Sequence, residues 1–209
     1  MFGFRLLRFA QDDTTLPRYI PRSRYDFVLV PPATSESTVP KAETATATEI
    51  DTWRLQTRIT RDVIRANTHG LSQEDSLVQP EPAGNCLNWV LGHLLHVYDG
   101  ALPLLGQQPV LGTEALKHYA RGREPIREGS EALDFLQLVA AINQAAERMD
   151  AGLAALSPDL LDQPAPMSPT GNPDETVRSL LTTVMWHQAY HTGQTAVLRR
   201  IAGKEGAIR

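Results

Sequence analysis

The stretch NPDETVRSLLTTVMWHQAYHTGQTAVLRRIAG, Asn172 to Gly203, decides how this chain folds. Within it Val177, Leu180, Val184, His187, His191, Gln194, Leu198 and Ile201 follow one another at alternating threes and fours. That period keeps side chains on one face of an α-helix, the seam of a bundle. Asn172 is a cap by type, Pro173 suits the first helical position, and Glu175 is placed to reach back as in a capping box. Gly203 marks the stop. The expectation is one long helix from about Asn172 to Ala202 with two imidazoles, His187 and His191, in its buried seam. At about 1.5 Å of rise per residue their backbones lie about 6 Å apart, which lets both rings bind one ion.

Three further helices are predicted upstream. Ile50, Trp53, Leu55, Ile59, Val63 and Ile64 recur at helical spacing before Gly70. Ser72 to Gly84, polar and carrying Pro80 and Pro82, reads as a connector. A second helix is expected from about Asn85, its cap, to Leu104, and a third from about Glu131 to Leu156. The stripe of the third is marked by Leu133, Leu136, Val139, Ile142, Ala146, Met149 and Leu153. The long connection from Gly106 to Ser130 has room for a short helix around Thr113 to Ala120, and it lets the second and third helices run parallel. With no strand-rich region, the fold class is all-α: a four-helix bundle with a crossover connection. Its expected bounds are residues 48–203, followed by a tail, 204–209. Residues 1–47 hold PPATSESTVPKAETATATE and too little apolar surface to offset the entropy of ordering, so a poorly ordered extension is expected there. Only YDFVLV, Tyr25 to Val30, suits a short strand or docked segment.

The bulk numbers exclude several functions. The chain has 209 residues, 42% hydrophobic, with formal net charge −4 and scattered basic residues. Nothing resembles a phosphate-binding face, so nucleic acid is not an expected partner. Cys86 is the one cysteine, which excludes an intrachain disulfide and a CxxC metal site. No apolar run approaches the roughly 18 residues that span a bilayer. A cytoplasmic protein is expected.

On the second helix, Cys86, Val90, His93, Val97, Ala101 and Leu104 form a stripe, so His93 also points inward. His96 lies one turn on, displaced toward the helix edge and sharing a side with Trp89 and Gly100. Three inward imidazoles from two helices suit a divalent metal with an open coordination position. A single buried histidine is usually satisfied by a carbonyl or carboxylate, and HxxxH alone is a weak signal. The sequence offers these rings no comparable inward acid, since Glu147 and Asp150 lie off the third stripe.

Those residues carry a family resemblance. NCLNWVLGH (Asn85–His93) and HQAYHTGQ (His187–Gln194) resemble the two signature segments of the DinB/YfiT superfamily, W-x-x-G-H on the second helix and H-x-x-x-H-x-G-Q on the last. The resemblance covers about Glu49 to Gly203. It implies a four-helix bundle holding a divalent metal through three histidines, here His93, His187 and His191. Many members carry arginine where this chain has Thr192, so any contact of that arginine is lost here. The resemblance further implies a metal-dependent S-transferase using a low-molecular-weight thiol on a small electrophile, with His96 the one histidine left as a catalytic base. Two other readings stay open: a metal-dependent hydrolase, and a non-enzymatic metal- or ligand-binding homodimer pairing through the outer side of the first helix, with Trp53 a candidate. Histidine ligands suit zinc, nickel, iron and manganese alike.

Other residues carry lesser expectations. Gly193 suits a close approach by a neighbouring helix, and Gln194 a hydrogen bond to a ligand imidazole. Trp89 reads as core filler or pocket wall, Tyr98 and Tyr190 as candidate pocket lining, and Cys86 as a small buried hydrophobe. Arg121 and Arg123 in YARGREP can hold a carboxylate or simply be solvated. His69 and His118 fall in connectors and are expected to be solvated.

Overall fold

The computed structural model describes residues 48–127 and 132–208. The expected extension, residues 1–47, and its strand-like Tyr25–Val30 lie outside the described residues. Among the described residues five α-helices form: α1 (Glu49–Thr68), α2 (Gln73–Leu77), α3 (Leu87–Ala101), α4 (Phe135–Ala155) and α5 (Val177–Ile201). Among the described residues there is no strand, only an isolated bridge between Pro164 and Thr176. The fold is all-α, as expected. No helix among the described residues is long and apolar enough to cross a membrane.

The four long helices form a ring in which α1 and α3 each pack against both α4 and α5. Pairings along the helices give their directions. Thr57 meets Met185 and Asn67 meets Thr195, so α1 and α5 run parallel. Arg54 and Arg58 near the start of α1 pair with Asp150 near the end of α4, so these two run antiparallel. Asn88 bonds the Leu133 carbonyl while Leu105 packs at Gly152, so α3 and α4 run parallel. The long crossover therefore does what its length suggested.

Local chemistry sets the helix boundaries, not always where the sequence pointed. Thr48 caps α1 in a reciprocal box with Asp51, and Asp134 caps α4 by accepting from the Gln137 amide. Ser72 and Asp75 form a second box that starts α2, a helix inside the segment expected to be a connector. Cys86, not Asn85, holds the N-cap position of α3, and it makes no side-chain cap bond. The start of α5 also shifts: Thr176 and Ser179 form its capping box, while Asn172 accepts from the Asp174 amide in a turn. Glu175 does not reach back; its carboxylate holds Ser168 and Ser179. Bonds from the Ala165 and Val177 amides to the Glu175 and Gln163 carbonyls clamp the loop ahead of α5, and the helix begins where the clamp ends.

Burial corrects two expected stripes. On α1, Trp53, Thr57, Thr60, Ile64 and Asn67 face the core, while Leu55 and Ile59 are about half exposed (51% and 53%). Of the inward polar groups, Thr57 and Thr68 donate to carbonyls four residues back and Asn67 donates to Thr195 on α5. Trp53 is buried and cannot belong to an outer pairing face. On α4 the core face is Phe135, Leu138, Ile142, Ala145 and Met149, and Leu136 points out. Asp99 is a buried acid absent from the expectations. It ends α3 by accepting the amides of Val110, Leu111 and Gly112, which folds the first part of the crossover back onto the helix.

Candidate metal centre

His93 on α3 and His187 and His191 on α5 come together between these antiparallel helices, one ligand atom of each lying within 4.8 Å of the others. The Nε2 atoms of His93 and His187 are 3.1 Å apart. Two donors bound tetrahedrally to one zinc at 2.0–2.1 Å stand about 3.3 Å apart, so this pair already has the spacing of shared ligands. Trp89 stacks on the His93 ring, with centroids 4.6 Å apart and planes 13° from parallel.

The outer nitrogens set which atom each ring presents. His93 Nδ1 lies 2.8 Å from the Tyr119 carbonyl oxygen, which can only accept, so Nδ1 carries the proton and Nε2 the lone pair. His191 Nδ1 lies 2.6 Å from Gln194 Oε1, which fixes the same tautomer. Gln194 thus bonds one of the candidate ligand imidazoles, that of His191. His187 differs: its Nδ1 is buried with no hydrogen-bond partner. With His93 Nε2 a lone pair, the short contact between the two Nε2 atoms is attractive only with a proton or a cation between them. A cation held by all three rings satisfies that contact and leaves His187 Nδ1 as its proton site. The donor set fits a borderline-soft divalent ion.

Electrostatics keep the rings neutral, as ligation requires. Burial first, then His191 and His93, lowers the His187 pKa to about 4. Burial also lowers His93, against the Tyr119 carbonyl that pulls it up, and His191, against Gln194. Among the described residues no acidic side chain lines the cavities at the site. In the metal-free protein these shifts have a signed consequence. As pH falls below 6.5 the unfolded chain takes up the His187 proton before the folded one does, so stability drops until about pH 4. Denaturant midpoints at pH 7.5 and pH 5 are expected to show the lower value at pH 5. Equal midpoints would mean that His187 is not held neutral by burial.

The glycine of the second motif segment plays no packing role. Gly193 is exposed, and a Cβ there would meet nothing within 4 Å, which corrects the expected close approach. The close approach is at Gly92, where a Cβ would lie 2.0 Å from Cδ1 of the Tyr119 ring. Tyr119 is fully buried in a 3-10 turn, Lys117–Tyr119, within the crossover. Its hydroxyl donates to Asn88 and accepts the Leu133 amide. Gly92 admits the ring, and the ring's seating places the carbonyl that orients His93. Sequence reasoning missed Tyr119 because its partners come from two other segments, α3 and the approach to α4.

Two cavities meet at the triad. The larger, about 790 Å³, is walled by Trp89, Trp186, Tyr190 and Ile201; the smaller, about 440 Å³, lies between Val97, Leu180 and Val184. His93, His187 and Arg121 border both. His96 lines only the smaller one, with its Nδ1 buried and unpartnered, and does not join the triad. Tyr190 lines the larger cavity, whereas Tyr98 is buried away from both and donates to Gln188. Cys86 is buried, its thiol against the Ile126 carbonyl. Arg123 borders neither cavity.

Replacing Gln194 by leucine is expected to weaken metal binding about tenfold, the scale of losing one partner behind a ligand. Competition with a chelator measures it, and an unchanged affinity would remove Gln194 from the centre.

A helical bundle with a histidine cluster able to hold a metal, set between two helices and open to two cavities, is what the fold and site define. The chain belongs to the DinB superfamily, whose profile matches residues 56–195. Among solved structures, a conserved protein from Enterococcus faecalis is similar in fold, with TM-score 0.59, 14% identity, and 76% of this chain and 100% of that one covered. No curated protein matches the chain.

Proposed function

We propose that His93, His187 and His191 hold a divalent cation and that the protein is a metal-dependent S-transferase, joining a low-molecular-weight thiol to a small electrophile. The observation that carries this reading is the set of three neutral imidazoles, two of them already oriented from behind, with no carboxylate beside them among the described residues. A divalent ion bound there supplies a Lewis acid that favours the thiolate over the thiol. Tyr119 and Gln194 hold two imidazoles in the tautomer that presents Nε2. Trp89, stacked on His93, shields that ring from water. His96, the base of this reading, stands beside the smaller cavity and takes the thiol proton there, directly or through a water. In the reaction the sulfur forms a bond to carbon and the leaving group departs with its electron pair.

The test uses untagged protein with measured metal content, a chlorinated aromatic electrophile, and cysteine-based thiols. Thiol-dependent release of chloride, abolished by chelation and restored by metal, is the expected result. Chloride release that needs metal but no thiol would replace this reading with the hydrolase. Stoichiometric metal without turnover would leave the binding protein.

A further inference from the structure

The smaller cavity has a chemistry of its own. Its walls are largely apolar, with Val97, Leu180, Val184, Met167 and Pro169 among the lining residues. Arg121 borders it and is exposed, and no described carboxylate pairs with that guanidinium. The chain at this arginine follows two residues after Tyr119, which is anchored by its ring, carbonyl and hydroxyl. Among the described residues no aspartate or glutamate lines the cavity. In a chain of net charge −4 this is a local positive field over an apolar pocket. His96 adds a buried ring nitrogen that lacks a partner.

We infer that this cavity binds a small aliphatic carboxylate, with its hydrocarbon part against Val97, Leu180 and Val184 and its carboxylate on Arg121. The inference rests on the proposed reading and gives it a substrate class: the electrophile is itself an acid. A guanidinium presents a planar fork of donors that matches a carboxylate, and apolar walls favour the body of the same molecule. About 440 Å³ lies within the range of small-molecule sites. Gly100 leaves one wall open, since a Cβ there would meet nothing within 4 Å. It offers a way to fill the cavity without touching the triad.

The experiment measures binding of hexanoate and of its neutral analogue hexanamide by calorimetry, on the full chain. Wild type, Arg121→Gln and Gly100→Leu are each compared zinc-loaded and metal-free, with zinc content determined separately. Hexanoate is expected to bind wild type about tenfold more tightly than hexanamide in both forms, as one charge-assisted pair allows. Arg121→Gln should abolish that preference. Gly100→Leu should weaken both ligands about tenfold or more and leave zinc content unchanged; leucine is a good helix former, so the helix is expected to tolerate it. Equal binding of the two probes, binding indifferent to Gly100→Leu, or a preference seen only with zinc and insensitive to Arg121 would each overturn the inference. If zinc fails to bind but the preference persists, the cavity assignment stands and the metal reading falls. If zinc binds and the preference is absent, the reverse holds.

Discussion

The His187→Ala protein is expected to lose metal affinity by at least about a hundredfold, more than the usual cost of removing a partner behind a ligand. His187 has no partner on its outer nitrogen, so its loss unpairs only the His93 Nε2 that faces it. Helix content and the denaturant midpoint above pH 6.5 should therefore stay close to wild type. His191→Ala should lose metal to a similar degree and also leave the Gln194 amide oxygen without its donor. Metal analysis of untagged protein, dialysed against a weak chelator, reads the result. Wild-type metal content in both variants would show that the rings do not share an ion, and the S-transferase reading would fall with them.

Gly92→Ala is expected to be the most damaging small substitution in the bundle. The added methyl would sit 2.0 Å from the Tyr119 ring, inside any tolerable contact, and the ring cannot swing away while its hydroxyl is bonded to Asn88 and the Leu133 amide. Overpacking of this kind costs on the order of 3 kcal/mol. The damage should also reach the site, because moving Tyr119 removes the carbonyl that orients His93. Gly152→Ala is the matched control: its methyl would meet Leu105 at 2.6 Å, on α4 and away from the triad. Both variants should lower the denaturant midpoint, but only Gly92→Ala should lower metal affinity beyond the loss of folded protein. Equal effects on affinity would mean that Tyr119 is packing alone.

What could be read in advance, and what could not, follows from the range of the interactions. The triad was legible because two imidazoles replaced apolar residues on a seam whose period was otherwise unbroken, and His93 sat on a second such stripe. The ends of α5 were legible only at Gly203, whose φ of 76° is the left-handed turn that stops the helix. Its start was not, because Asn172 and Pro173 are a sound local signal that the clamp between Gln163 and Val177 overrides. On α1 an apolar count favoured the wrong side. Leu55 and Ile59 face out, and hydroxyls that bond their own backbone occupy the core. Asp99 and Tyr119 were missed for one reason: each is satisfied by a crossover segment whose path has no periodic pattern to reveal it.

Tyr119 has a practical consequence. One residue grips a ligand ring with its backbone and the entry to α4 with its phenol, so the crossover is a strut and not a spacer. Transplanting the two motif-bearing helices into a different bundle would carry the imidazoles across without the brace behind them. Shortening the loop between Gly106 and Ile126 would be felt as a change in how tightly the ion is held, far from where the chain was cut.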